Sequence, residues 1–288
     1  MTALAVAGSV PDLDWGTRTY VMGIVNATTD SFSGDGLGED SAAAVARGLA
    51  QVRAGADLLD VGGESTRPGA EAVPAVLEAR RVVPVVAALA ARAGVPVSVD
   101  TMKAEVAEAA LAAGASIVND VWGLRRAPEL AEVAARHGAA LIIVHNRPAR
   151  AAVDGLGGMY PEVPYQDLVG EVRAELLEAA GWAERAGVAH GRIWLDPGLG
   201  FGKTPRQSLE LVRRLGELRG PYPLLLGPSR KSFIGRVTGR PAPERDPGTA
   251  AAVALGIAAG ADIVRVHDVA GMVQVAAVAD AVCRGWSG

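Results

Sequence analysis

One cysteine in 288 residues, Cys283, excludes an internal disulfide and a thiolate metal cluster, and is expected to sit buried as a small apolar residue. Aromatic residues make up only 4% of the chain, too few for a platform that stacks nucleic-acid bases. Neither sign of charge is in excess: 28 Lys and Arg stand against 32 Asp and Glu, a net charge of -4. No global field therefore draws in a polyanion, and any phosphate has to be held locally. Long hydrophobic runs are missing as well. The uncharged stretch from Pro247 to Ala261 is 15 residues, short of the ~20 that cross a bilayer. Met1 to Val10 carries no Lys or Arg to begin a secretory signal. These absences predict a cytoplasmic protein that binds neither membrane nor nucleic acid. The 50% of hydrophobic residues is ample for a large core, and the length suits one α/β barrel of ~250 residues or two smaller domains.

What is present is a repeated phrase: helix-compatible sequence rich in alanine, a glycine stop, then an apolar run ending in a polar residue. It occurs as Ala54-Gly55-Ala56-Asp57-Leu58-Leu59-Asp60-Val61-Gly62, as Ala113-Gly114-Ala115-Ser116-Ile117-Val118-Asn119-Asp120, after Gly138 up to His145, and after Gly260 up to His267. Looser copies follow Gly94 and Gly187, and the runs Tyr20 to Val25 and Leu224 to Gly227 complete a set of eight. Glycine enters the left-handed conformation that ends helices, and β-branched apolar runs suit strands covered on both faces. Eight alternating units predict a (β/α)₈ TIM barrel forming a single domain over 1–288, with 1–18 as an N-terminal extension and 147–164 as an inserted loop. An open doubly wound sheet is the alternative, but no GxGxxG follows the first run. Pro84 is expected to bend or split the helix from Val76 to Arg92.

Chemistry in such barrels sits at the C-terminal strand ends. These are Asn26, Gly62 to Glu64, Asp100, Asn119, His145, Asp196, Ser229 to Lys231, and Arg265 with His267. Asp100, Asn119 and Asp196 offer directional acceptors and donors to a flat nitrogen heterocycle; alternatively each caps a following helix. Lys231 and Arg265 are the cations available to such buried carboxylates, although Lys231 also reads as surface charge or a Schiff-base lysine. Arg265 and His267 share a strand face by alternation and suit phosphate oxygens, whereas a core histidine is the plainer reading of His267. Asp196 to Thr204 is too poor in glycine at the required position for a Walker loop; its glycines bring backbone close to a ligand around Phe201, or simply form a turn. The loops 26–36 and 64–69 read as lids over the mouth, or as ordinary surface loops.

Taken in order, Met22-Gly23-Ile24-Val25-Asn26, Asp60-Val61-Gly62-Gly63-Glu64-Ser65-Thr66-Arg67-Pro68-Gly69, Ser98-Val99-Asp100-Thr101, Asn119-Asp120, Asp196-Pro197-Gly198-Leu199-Gly200-Phe201-Gly202-Lys203, Ser229-Arg230-Lys231-Ser232 and Arg265-Val266-His267-Asp268 resemble the dihydropteroate synthases. That family condenses 6-hydroxymethyl-7,8-dihydropterin pyrophosphate with 4-aminobenzoate in folate biosynthesis. The likeness runs from about Val21 to Ala281. It implies a pterin pocket of Asp100, Asn119, Asp196, Lys231 and Phe201. It implies a pyrophosphate site of Asn26, Thr66, Arg67, Arg265 and His267, with Mg²⁺ held at Asn26. The aminobenzoate site would be Phe32, Pro68, Phe201 and Ser232, and Lys231, Arg265 and His267 would be catalytic. A homodimer is also implied. The sequence departs from the family pattern at Thr29, at Gly34-Asp35-Gly36 and at Val144-His145-Asn146. A pterin-dependent methyltransferase barrel and a catalytically silent pterin-binding paralogue are the other readings of the same residues.

Overall fold

The computed structural model describes residues 13–27, 37–65 and 71–286. The glycine stops do what the repeat predicts. Gly55, Gly114 and Gly260 take φ of +102°, +109° and +99°, a region closed to most side chains, and each separates a helix from the next strand. In chain order β1 (Tyr20–Asn26), α1 (Leu37–Arg53), β2 (Leu58–Gly62), α2 (Ala75–Arg92), β3 (Val97–Asp100), α3 (Ala104–Ala112), β4 (Ile117–Asp120), α4 (Glu129–Arg136) and β5 (Ala140–Val144) alternate. After β6 (Ala152–Asp154) and β7 (Gly157–Met159) come α5 (Leu168–Arg185), β8 (Ile193–Asp196), α6 (Pro205–Arg213), β9 (Leu225–Leu226), α7 (Ser232–Thr238), α8 (Asp246–Ala258), β10 (Ile263–Val266) and α9 (Val269–Arg284).

Eight strands pair in parallel in the order β8-β5-β4-β3-β2-β1-β10-β9. A parallel bridge between Leu195 and Leu224, with the Leu195 N–H donating to Pro223 O at 2.9 Å, joins the first strand of that order to the last. The sheet is thus a closed barrel, not an open one, as the eight-unit pattern predicts. Side chains alternate between two apolar layers, which is why the strands read as unbroken apolar runs. Tyr20, Met22, Leu58, Ile117, Ile142, Trp194 and Ile263 fill the inside, while Val21, Leu59, Val99, Val118, Leu141 and Val264 pack outward against the helices. At the bottom Trp15 sets its ring edge-on to Tyr20 and Trp194, at 5.5 and 5.4 Å between centroids. With the interior filled from below, polar strand ends collect at the top.

Three expectations need correction. Pro84 does not split its helix: α2 runs unbroken through it. Pro84 lies on the exposed face, where water can take the Arg80 carbonyl that loses its partner, while Val82, Val85, Val86 and Leu89 hold the opposite face to the barrel. Cys283 is exposed, because it falls in the last turn of α9, beyond Ala279, the last buried residue of that helix. The inserted segment 147–164 is not all loop. It contains the antiparallel hairpin of β6 and β7, paired from Ala152 with Met159 to Asp154 with Gly157. Among the described residues, no helix is long and apolar enough to cross a membrane.

Candidate active site

The strand tops converge on a cavity of about 410 Å³, within the range of small-molecule sites. Its lining includes Asn26, Asp100, Phe201, Lys231, Arg265 and His267. A roomier groove of about 530 Å³ lies on α2 and α3 around Val76, Val83 and Pro84, but it touches no strand end and gathers no convergent polar set. The barrel mouth is therefore the site.

Its deep end is an ion-pair cluster. Arg265, from β10, donates Nε to Asp60 Oδ2 at 2.6 Å and Nη2 to Asp100 Oδ2 at 2.7 Å. Asn119 Nδ2 donates to the same Asp60 oxygen at 3.0 Å. Asp60 has no exposed surface, and its second oxygen and Asn119 Oδ1 are buried with no hydrogen-bond partner among the described residues. Buried polar atoms seldom stay unpaired, and these two are acceptors left over beneath the cavity. Burial pushes the Asp100 carboxyl up to about 7, against the pull of Arg265 and with the help of Asp60.

The opposite wall comes from β8 and the loop after it. Asp196 Oδ1 accepts the Gly198 N–H at 2.7 Å, and burial raises its pKa although Lys231 opposes the shift. Gly198, Gly200 and Gly202 all have positive φ. A Cβ at Gly198 would lie 1.9 Å from His145 O, so only glycine lets this loop press against the exit of β5. The loop thereby offers Leu199 O, which accepts from Lys231 Nζ, and the Phe201 ring, 4.5 Å from that nitrogen. Beside Gly227 a methyl group would meet Asp196 Oδ2 at 3.7 Å and Lys231 Nζ at 3.9 Å, so both groups face the same strand end. Burial lowers Lys231 to about 8, with Asp196 opposing.

Helix capping does not account for the three polar strand ends. The helices after Asp100, Asn119 and Asp196 begin at Ala104, Glu129 and Pro205, with Lys103, Pro128 and Thr204 as their caps. His267 is half-buried and borders the cavity, with its Nδ1 2.9 Å from Ser229 Oγ, which also accepts the His267 backbone N–H at 3.1 Å. Asn26 lies exposed at the top of β1. Asn119 and Asp196 sit one layer beneath the cavity surface, only 3% and 4% exposed. His145 turns aside: it meets Lys203 Nζ at 2.9 Å and Glu175 at 3.1 Å, behind the 197–203 loop. Phe32, Thr66, Arg67 and Pro68, with Thr29 and Gly34 to Gly36, lie outside the described residues. Glu64, at the foot of the 66–70 segment, pairs with Lys103, which also holds Glu78.

Two polar residues of this region escape a reading of strand ends. Asp60 sits inside the apolar run of β2, and its only signal is a carboxylate where a buried strand wants an aliphatic side chain. Lys203 looks like surface charge in a glycine-rich loop, yet it is 1% exposed and donates to His145 O at 3.1 Å and Phe201 O at 2.9 Å. Among the described residues, no group of three His, Cys, Asp or Glu could hold a metal ion.

A family model described as pterin binding enzyme matches residues 22–267. The dihydropteroate synthase of Synechocystis sp. is 47% identical over 273 residues, 94% of this chain and 92% of that protein. That of Bacillus subtilis is 44% identical over 271 residues, 94% and 90% of the two chains. Among solved structures, a dihydropteroate synthase from Clostridium difficile in the presence of pteroic acid superposes with a TM-score of 0.87 at 42% identity, over 94% of this chain and 99% of that one. The Xanthomonas albilineans enzyme in complex with 7,8-dihydropteroate gives 0.80 at 43% identity, over 92% and 94%. The chain belongs to the pterin-binding enzymes and, among them, to the dihydropteroate synthase family.

Proposed function

We propose that this chain is a transferase that joins 6-hydroxymethyl-7,8-dihydropterin pyrophosphate to 4-aminobenzoate, giving 7,8-dihydropteroate and pyrophosphate in folate biosynthesis. The observation that carries this reading is the polar set at one cavity, with Asp100, Lys231 and Arg265 lining it and Asp60, Asn119 and Asp196 buried beneath them. It suits a flat heterocycle with N–H donors on one edge and acceptors on another.

In this reading the pterin lies between Asp100 and Asn119 on one side and Asp196 and Lys231 on the other, with Phe201 along its face. Arg265 spends two of its five N–H donors on Asp60 and Asp100, and the others serve the diphosphate beside His267. Asn26, a lone neutral amide at the rim, fits Mg²⁺ only as an ion that arrives with the diphosphate, since Mg²⁺ takes few protein ligands and keeps phosphate oxygens and water. Bound there, it would neutralise charge on the departing group. The reaction breaks the bond between the methylene carbon and the diphosphate oxygen, whose electron pair leaves with pyrophosphate. The arylamine nitrogen forms the new bond to that carbon and gives up a proton. The buried carboxylates favour the positive charge that develops on the pterin methylene, and Lys231, Arg265 and His267 favour the negative charge leaving it. No side-chain nucleophile is needed. Phe32, Pro68, Phe201 and Ser232 make up the second-substrate site, and Thr66 and Arg67 join the pyrophosphate site.

A cytoplasmic location and a homodimer belong to the same proposal. Leu255 on α8 and Val278 and Val282 on α9, each more than 60% exposed, support an apolar contact between copies; sedimentation tests it. For the activity, pyrophosphate release from the pterin ester is measured with and without 4-aminobenzoate. Release that requires the arylamine and yields dihydropteroate by mass supports the reading; release without it, or none, overturns it.

A further inference from the structure

The cavity has a wall that belongs to no strand end. The β6–β7 hairpin rises from the segment between β5 and α5, and Asp154 to Gly158 line the cavity together with Lys231 and Ser232. It is held there by two arginines. The Asp154 carboxylate takes a two-pronged contact from Arg236 of α7, at 2.8 and 2.7 Å. Arg245, only 3% exposed, donates to Leu156 O at the hairpin tip and to Arg230 O, both at 2.9 Å, and to Arg240 O at 2.9 Å. Arg230 directly precedes Lys231, so one buried guanidinium fixes the hairpin tip relative to the Lys231-Ser232 segment. Gly157, at φ +93°, faces Ser232: a Cβ there would lie 4.0 Å from the Ser232 Cβ. The hairpin donates to and accepts from none of the deep residues Asp60, Asp100, Asn119 or Asp196, and its strands are exposed or half-exposed. It therefore borders the outer part of the cavity, where the second substrate has to enter once the pterin fills the deep end.

We infer that the hairpin tip, Gly155 to Gly158, is a specificity wall for the arylamine. It sets how large a group opposite the amine can be accommodated, and Asp154, Arg236 and Arg245 act as its positioning residues. Three glycines at 155, 157 and 158 keep that wall low, and Leu156 is the one side chain at the tip that can be enlarged or cut back. The inference rests on the synthase reading above.

The test compares kcat/KM for 4-aminobenzoate with that for the longer 4-aminobenzoylglycine, in wild type, Leu156→Ala and Leu156→Trp. Pterin affinity is measured in parallel by calorimetry. We expect Leu156→Trp to lower the relative rate on the longer amine by about fivefold or more, and Leu156→Ala to raise it, with pterin affinity unchanged within about twofold; differences of this size are usual for a methylene or two in a pocket. The latch is tested by Asp154→Arg and Arg236→Asp, each raising the KM for 4-aminobenzoate about two- to fivefold while leaving pterin affinity alone, with partial recovery in the charge-exchanged double variant. An unchanged ratio in both Leu156 variants, in a wild type that turns over 4-aminobenzoate, overturns the wall alone. A wild type without arylamine-dependent pyrophosphate release overturns the synthase reading and the inference with it.

Discussion

Lys231 is pulled in two directions by its position. Burial lowers its pKa to about 8, with Asp196 opposing, and its charged form is stabilised by Leu199 O and the Phe201 ring. Ligand binding needs the ammonium, so pterin affinity should fall about tenfold per pH unit once the pH rises past about 8. Stability should move the other way. Between about 8 and the ordinary 10.5 the unfolded chain holds a proton that the folded chain has given up, so this residue's contribution to stability rises with pH there. Calorimetry and melting curves of wild type against Lys231→Met, from pH 7 to 10.5, check both signs. A variant that keeps the wild-type pH profile of pterin affinity would remove Lys231 from that role. Arg265 gives a second prediction. Its guanidinium holds two carboxylates as well as facing the diphosphate site, so Arg265→Ala should weaken both hydroxymethylpterin and its pyrophosphate ester, the ester more. Losing charge-assisted hydrogen bonds suggests ~1.5 to 3 kcal/mol for the shared part. If only the ester is affected, the pairing with Asp60 and Asp100 plays no part in holding the pterin pocket.

At the level of elements, the loop between β8 and α6 links packing to binding. Lys203 crosses from this loop to the exit of β5, and its replacement by Met would leave His145 O, His145 Nδ1 and Phe201 O without their donor. Each stranded buried acceptor costs ~1 to 3 kcal/mol. Lys203→Met should therefore lower Tm by several degrees and also weaken pterin binding, because Leu199 O and Phe201 would no longer be held against Lys231; differential scanning calorimetry and titration with hydroxymethylpterin read the two effects. Normal pterin affinity in a destabilised variant would confine Lys203 to a structural part. The elements differ in how far the sequence reveals them. Apolar runs mark every barrel strand and glycine stops mark six of the eight, since they encode a buried surface and a local conformation. The hairpin escapes because Gly155, Gly157 and Gly158 signal loop, and its pairing depends on Arg236 and Arg245, far along the chain. Pro84 misleads because helix continuity there is decided by which face meets water. Asp100, Asn119, Asp196, Lys231 and Arg265 are legible as polar ends of apolar runs. Asp60 and Lys203 are hidden because their partners arrive only when the barrel closes.

Across the whole molecule the barrel separates stability at its bottom from chemistry at its top. Trp15 joins the chain's start to the floor through Tyr20 and Trp194, and Met22, Ile117, Ile142 and Ile263 fill the interior between floor and site. A change at the floor should therefore alter folding free energy without reaching Asp100 or Lys231. Trp15→Ala removes a half-buried indole; full burial of such a ring is worth ~3 to 5 kcal/mol, so a loss of ~2 kcal/mol is expected. In a chain of this length that corresponds to a fall in Tm of about 3 °C. Below the transition, kcat and pterin affinity should stay within about twofold of wild type, because interiors packed as densely as this confine the relaxation to neighbouring side chains. The competing expectation is that the floor sets the height of the interior stack and so the position of the pterin carboxylates. In that case Trp15→Ala would weaken pterin binding at 25 °C in proportion to its loss of stability, and a second floor variant, Tyr20→Ala, would do the same. Parallel melting and titration of the two variants distinguish a floor that only supports the barrel from one that also positions its site.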